Sequence, residues 1–162
     1  MKQIGRRFWL AAALALGLLA LAPSDRVMAA AELNVGPDSL ALKGYDPVAY
    51  FLADRPVPGN SRYELRHEGA VYRFATAGNL ALFRSDPERF TPEYGGYCSY
   101  GVRLGRKFDV DPHAWRIVEG RLFLQLDQGT QVIWLKDLNR NISIADSVWP
   151  QIREKLDSEL AN

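Results

Sequence analysis

The residues best equipped for chemistry lie together in Tyr94-Gly95-Gly96-Tyr97-Cys98-Ser99-Tyr100-Gly101-Val102. This stretch carries the only cysteine of the chain, three of its seven tyrosines and three glycines. A cysteine is a nucleophile, a soft metal ligand or a small buried hydrophobe. Glycine lets a backbone approach a neighbour closely or take positive φ, and tyrosine adds an apolar ring with a polar tip. Tyr94, Gly95, Gly96, Tyr97 and Cys98 are therefore ligand-binding candidates. Tyr45 and Asp46 join them, because Gly44-Tyr45-Asp46-Pro47 is a tight turn that would wall a small pocket if it packed against Tyr97. Asp46 has a plainer use there, which is to cap its own following backbone.

Two imidazoles are available as partners for a metal-bound Cys98. His113 follows it by 15 positions and lies between Asp109-Val110-Asp111-Pro112 and Trp115, in what reads as an acidic turn. Cysteine, histidine and carboxylate together suit Zn(II), and a thiolate with an imidazole suits Cu(I). His67 ends an alternating run, where a structural or exposed histidine is the commoner outcome. Copper or zinc at Cys98, His113 and His67 is one expectation; a quiet place for Cys98 in the core is another. Cys98, His113 and Asp109 or Asp111 also spell a thiol nucleophile with a base and an orienting acceptor. No pair has tight ligand spacing. There is no phosphate-binding loop, dinucleotide fingerprint, paired-cysteine redox motif or His-Glu-x-x-His, so nothing points to a particular enzyme and no catalytic residue is assigned.

The elements that would position these residues can be read from pattern. Val48-Ala49-Tyr50-Phe51 is a short apolar run. Tyr63, Leu65 and His67 alternate with Glu64 and Arg66, Glu68-Gly69 turns the chain, and Val71-Tyr72-Arg73-Phe74 completes a β-hairpin. Thr76 caps a helix bearing Leu80 and Phe83 that Asp86-Pro87 ends. Trp115, Ile117 and Val118 form a strand that turns at Gly120 into Leu122-Phe123-Leu124-Gln125-Leu126, a second hairpin. Residues 131–138 and 142–160 carry helical periodicity. Strands joined by hairpins and interleaved with helices give an α+β class: a small antiparallel sheet of two hairpins with helices packed against it. The tryptophans Trp115, Trp134 and Trp149 fall at periodic apolar positions and are expected in the core. No internal repeat is evident, and a single domain over residues 41–162 is expected.

Residues 1–29 read as a cleaved signal peptide. Lys2, Arg6 and Arg7 precede an uncharged apolar run from Phe8 to Ala22, and Val27-Met28-Ala29 has the small-residue pattern of a cleavage site. The run is shorter than the ~20 residues of a membrane span, so no stable span is expected after cleavage. Arg6-Arg7 leaves general and twin-arginine export both open. Residues 30–40 read as a flexible lead-in. The mature chain is then periplasmic or secreted. It loses four basic residues (Lys2, Arg6, Arg7, Arg26) and one acidic residue (Asp25), which turns a net charge of +1 into −2. No basic stripe remains, so nucleic acid is not a partner the composition suggests. A lone cysteine in an exported chain has no internal disulfide partner.

Gly44-Tyr45-Asp46-Pro47-Val48-Ala49-Tyr50-Phe51 resembles the opening of the exported proteins of the YHS-domain family. Tyr72-Arg73-Phe74, Asn79, Phe83, Asp86-Pro87 and Phe90 are similar to that domain's strand–helix unit, and Tyr94-Gly95-Gly96-Tyr97-Cys98 to its tyrosine–cysteine segment. Asp111-Pro112, Trp115, Gly120-Arg121-Leu122, Trp134, Asp137, Ala145 and Trp149-Pro150 extend the likeness over roughly residues 40–152. The resemblance implies a small binding module for a transition metal or small ligand around Cys98, or an accessory protein with an envelope partner and a structural Cys98. A thiol-based redox protein is the third option. The cysteine-rich members place further cysteines after the Asp-Pro-Val turn and the strand–helix junction. Here those places hold Ala49, and Ala75 and Asn79, so that metal site does not carry over.

Overall fold

The computed structural model describes residues 32–160. The expected signal peptide, residues 1–29, lies outside the described residues. Chain order gives α1 (Pro47–Leu52), β1 (Asn60–His67), β2 (Ala70–Phe74), α2 (Ala77–Ser85), α3 (Ser99–Arg103), β3 (Asp111–Val118), β4 (Arg121–Gln125), α4 (Gln128–Leu135) and α5 (Leu138–Ile152). The α+β class stands. The two hairpins do not share one sheet, however: β1–β2 and β3–β4 are separate two-stranded antiparallel sheets. No helix among the described residues is long and apolar enough to cross a membrane.

The expectation of no internal repeat is overturned by the strand registers. In the first hairpin Asn60 pairs with Phe74, Glu64 with Arg73, Leu65 with Tyr72, Arg66 with Val71 and His67 with Ala70. In the second Asp111 pairs with Gln125, Trp115 with Leu124, Arg116 with Phe123, Ile117 with Leu122 and Val118 with Arg121. Every pair is displaced by the same 51 residues (Asn60 to Asp111, Phe74 to Gln125), including the irregularity after the first pair. Both turns are Glu-Gly with positive φ at each residue, 46° and 89° at Glu68-Gly69 and 51° and 78° at Glu119-Gly120. That geometry matches the twist of a two-residue hairpin. A side chain then caps each following helix: Thr76 accepts from the Asn79 N–H at 3.0 Å and Asp127 from the Thr130 N–H at 2.7 Å.

The likeness extends upstream. Single-turn helices at Leu42–Gly44 and Glu93–Gly96 lead into α1 and α3, whose N-caps are Asp46 and Cys98. Gly44 and Gly96 take φ of 84° and 83°, and a parallel bridge joins Leu40 to Val71 as another joins Pro92 to Leu122. The two halves share few side chains at matched positions, which is why the sequence hides the repeat.

Two apolar clusters form the core, and the first of them joins the halves. One gathers Val48, Tyr72, Phe74, Phe83 and Phe90 with Cys98, Val110 and Leu124 from the second half. The other gathers Tyr94, Val102, Phe123, Trp134, Ala145 and Ile152. Of the three tryptophans Trp134 is fully buried, while Trp115 and Trp149 pack at the cluster margins. Helix α4 starts at Gln128, earlier than the periodicity suggested, because Asp127 caps it. Helix α5 runs through Pro150 and ends at Ile152, short of the expected residue 160.

Residues 32–40 are fastened rather than loose. Asn34 N–H donates to the Gly95 carbonyl at 2.8 Å, its side-chain amide reaches the Gly96 carbonyl at 3.0 Å, and Ala41 N–H donates to Val71 at 2.9 Å. Glu32 pairs with Arg153 at 3.2 Å.

Candidate functional site

Cys98 is fully buried, at 0 % exposure. Its backbone is fixed by an N–H bond to the Phe108 carbonyl at 3.0 Å, and its Sγ accepts the Gly101 N–H at 3.4 Å. The thiol donates to Gln125 Oε1 at 3.5 Å. Burial pushes the thiol pKa up, and backbone hydrogen bonds from Gly101, Leu126 and Tyr100 pull it partly back. Gln125 Oε1 also accepts the Tyr100 N–H at 3.1 Å, while the neighbouring Ser99 hydroxyl donates to the Leu124 carbonyl at 3.1 Å. A Cβ on Gly101 would press on the Phe108 ring, so that glycine lets the loop close over the sulfur.

The histidines stand apart from this thiol in their contacts. His113 is an exposed strand residue, not part of a turn; its Nε2 lies 3.2 Å from Tyr45 Oη, with the rings edge to face at 5.5 Å. His67 sets its ring edge to face with Phe83 at 5.8 Å and lies 3.9 Å from the Glu68 carboxylate. No group of three or more His, Cys, Asp or Glu side chains placed to hold a metal ion occurs among the described residues. Asp109 pairs with Lys43 at 2.9 Å, and the Asp111 side chain accepts the His113 N–H at 2.9 Å.

The glycines and tyrosines of residues 94–97 receive the chain's own lead-in. Gly95 has φ +61°, and a Cβ there would overlap the Glu32 carbonyl oxygen. Tyr97 Oη donates to the Leu33 carbonyl at 3.2 Å. Tyr94, at φ +55°, donates to Asp146 at 2.9 Å. Arg121 joins that carboxylate and Glu93, each at 2.7 Å. Burial and the Asp146 bond push the Tyr94 pKa up, and the Arg121 guanidinium holds Asp146 below the usual carboxylate range. Lys107 is buried: its Nζ donates to carbonyls just past the end of α5, Arg153 at 2.8 Å and Lys155, over the faces of Tyr97 and Trp149.

Asp46 is the second fully buried candidate. Oδ1 accepts the Val48 and Ala49 N–H groups at 2.8 and 3.3 Å, and Oδ2 accepts the Ala75 N–H and the Asn79 amide at 2.8 and 2.6 Å. Its capping role is thus fulfilled, and it also ties α1 to the β2–α2 junction. A cleft of about 490 Å³ lined by Asp54, His113, Trp115, Arg116, Ile117 and Gln131 takes in one of the candidates, His113. Gln128 and Gln131 donate to the His113 and Trp115 carbonyls there, covering the free edge of β3.

Gln125, Asn79 and Arg121 were not singled out as site residues from sequence. Gln125 alone left a signal, a polar residue at the end of an otherwise apolar strand. Searches against family models, curated proteins and solved structures find no match for this chain.

Proposed function

We propose that this chain is an exported, non-catalytic accessory module of the YHS type, working in the periplasm through its surface, with Cys98 as an interior residue. The observation that carries this reading is the closure around the thiol. Sγ has no exposure, its side-chain partner is the Gln125 amide, and the glycine–tyrosine segment that would have approached a ligand is occupied by Glu32, Leu33 and Asn34. A metal ligand needs converging partners, and both histidines engage other residues. The YHS resemblance and the signal-like pattern of residues 1–29 support the family and the compartment in this reading.

Thiol labelling tests the reading. A bulky aromatic disulfide reagent should leave Cys98 unmodified in the folded protein and modify it on unfolding; fast native labelling would contradict the proposal. Titration with Cu(I) and Zn(II) should give equal, weak binding by the wild type and Cys98→Ser, whereas tight binding lost in Cys98→Ser would restore the metal-binding module. A small-ligand module is the second reading, favoured by the polar cleft around His113 and Arg116.

A further inference from the structure

The two halves put different side chains in one place. Asp46 and Cys98 are matched N-caps, each leading a short helix after a glycine of positive φ. Their donors match as well. Asp46 is held by the N–H groups of Val48, Ala49 and Ala75. Of the counterparts, the Gly101 N–H donates to the Cys98 sulfur at 3.4 Å and the Tyr100 N–H to Gln125 Oε1 at 3.1 Å; the backbone of Gly101, Leu126 and Tyr100 partly offsets the rise in thiol pKa that burial causes. In the first half a primary amide, Asn79 Nδ2, completes the set at 2.6 Å.

In the second half a primary amide is also present. Gln125 stands where the first hairpin has Phe74. It is fully buried, and its Oε1 touches the thiol. Its Nε2, on the same amide whose Oε1 lies 3.5 Å from the sulfur, has no hydrogen-bond partner among the described residues. A buried amide donor left unpaired is costly, and a redox or ligand role is one explanation for a group that persists so; Arg103 Nε and Trp134 Nε1 are the other such atoms among the described residues. A thiol cannot use this environment: sulfur is a weak acceptor. A sulfinate can, because it puts two acceptor oxygens and a single negative charge on the Cβ, as an aspartate carboxylate does, around a pyramidal sulfur.

We propose that Cys98 is a peroxide-oxidation site whose stable product is the sulfinate, seated on the Tyr100, Gly101 and Leu126 N–H groups with Gln125 Nε2 as the fourth donor, as Asp46 is seated with Asn79. The oxidant is hydrogen peroxide, small enough to enter on local opening where bulky reagents are excluded. Sulfur attacks one peroxide oxygen, an S–O bond forms, the O–O bond breaks, and the leaving hydroxide takes the thiol proton as water. The sulfenic acid repeats the step with a second peroxide, giving a second water, and the sulfinic acid releases its proton. Sulfur is oxidised twice and two peroxides are reduced. This goes beyond the accessory reading and does not rest on it.

The test is hydrogen peroxide treatment of the folded full chain, followed by peptide mass spectrometry and thermal melting. The Cys98 peptide should gain two oxygens that dithiothreitol does not remove, and the oxidised protein should melt above the reduced one. In Gln125→Leu that rise on oxidation should be lost. An unmodified thiol, a reversible product, a three-oxygen product or a lowered melting temperature would each overturn the proposal. A peroxide-free variant gives a separate check: Cys98→Asp should melt above Cys98→Ala, and the reverse order would overturn the proposal as well.

Discussion

The first half of the molecule closes its helix–hairpin junction with a carboxylate, and the second half closes the matched junction with a thiol. Around Asp46 four donors meet two oxygens, and each bond lies within 3.3 Å. Around Cys98 the contacts to sulfur are 3.4 and 3.5 Å, and a buried glutamine is drawn in with one end unpaired. The same backbone therefore supports a saturated site in one half and an unsaturated one in the other. A fully satisfied site is architectural; the unsatisfied one has capacity left for chemistry.

The largest way to break the comparison is Asp46→Ala. It orphans the buried Val48 N–H, the half-buried Ala75 N–H and the Asn79 amide, while Ala49 N–H keeps the residue 46 carbonyl, and should cost about 3–4 kcal/mol in urea denaturation at neutral pH, since each lost partner is worth about 1–3 kcal/mol. A loss under 1 kcal/mol would remove Asp46 as the organiser of the first half. Gly95→Ala comes next. The residue must keep positive φ and its Cβ overlaps Glu32, so a cost of about 1–3 kcal/mol is expected, with faster hydrogen exchange at Asn34; unchanged exchange there would show that the lead-in is not anchored on Gly95.

Arg121→Met tests a fixture that belongs to the second half alone, the pairing of Glu93, Asp146 and Tyr94 that docks α5. Arg121 and Asp146 are partly exposed, so about 1 kcal/mol is expected at neutral pH. Asp146 is held below its ordinary pKa by Arg121. Its contribution is therefore in place above the unfolded value of about 3.9 and is lost as pH falls through the depressed folded value. The wild type should lose more stability on acidification than Arg121→Met; equal acid losses would contradict this. The smallest effect is Gln125→Met without oxidant: it removes the unpaired Nε2 but also the acceptor of Tyr100 N–H, so a net change within about 1 kcal/mol is expected. A large loss would show that Gln125 is needed by the reduced thiol itself.

The hairpins were legible because alternation and Glu-Gly turns encode them locally, and the end of α2 because Asp86-Pro87 stops a helix. Separation of the hairpins into two sheets was not legible, since nothing in either strand's pattern says which edge is paired. The repeat escaped because the two halves share backbone conformation but not side chains: Cys98 stands where the first half has Asp46, and Gln125 where it has Phe74. The glycines of residues 95–96 were correctly read as sites of close approach, but what approaches is the chain's own residues 32–34. His113 looked like a turn residue because Asp111-Pro112 is a turn signal; the β3 register with Gln125 overrides it.

The sign of a pH dependence tests most directly whether the second half is built for an anion. Stability of Cys98→Asp should be measured by urea denaturation from neutral pH to below about pH 4, against Cys98→Ala as reference. If the Tyr100, Gly101, Leu126 and Gln125 donors hold the new carboxylate, its folded pKa is depressed. Stability relative to the reference is then greatest above the unfolded value and falls on acidification. If the site is only a buried apolar niche, the pKa is raised, and the variant gains stability on acidification and loses it as pH rises. That second result would contradict the equivalence of the Asp46 and Cys98 sites.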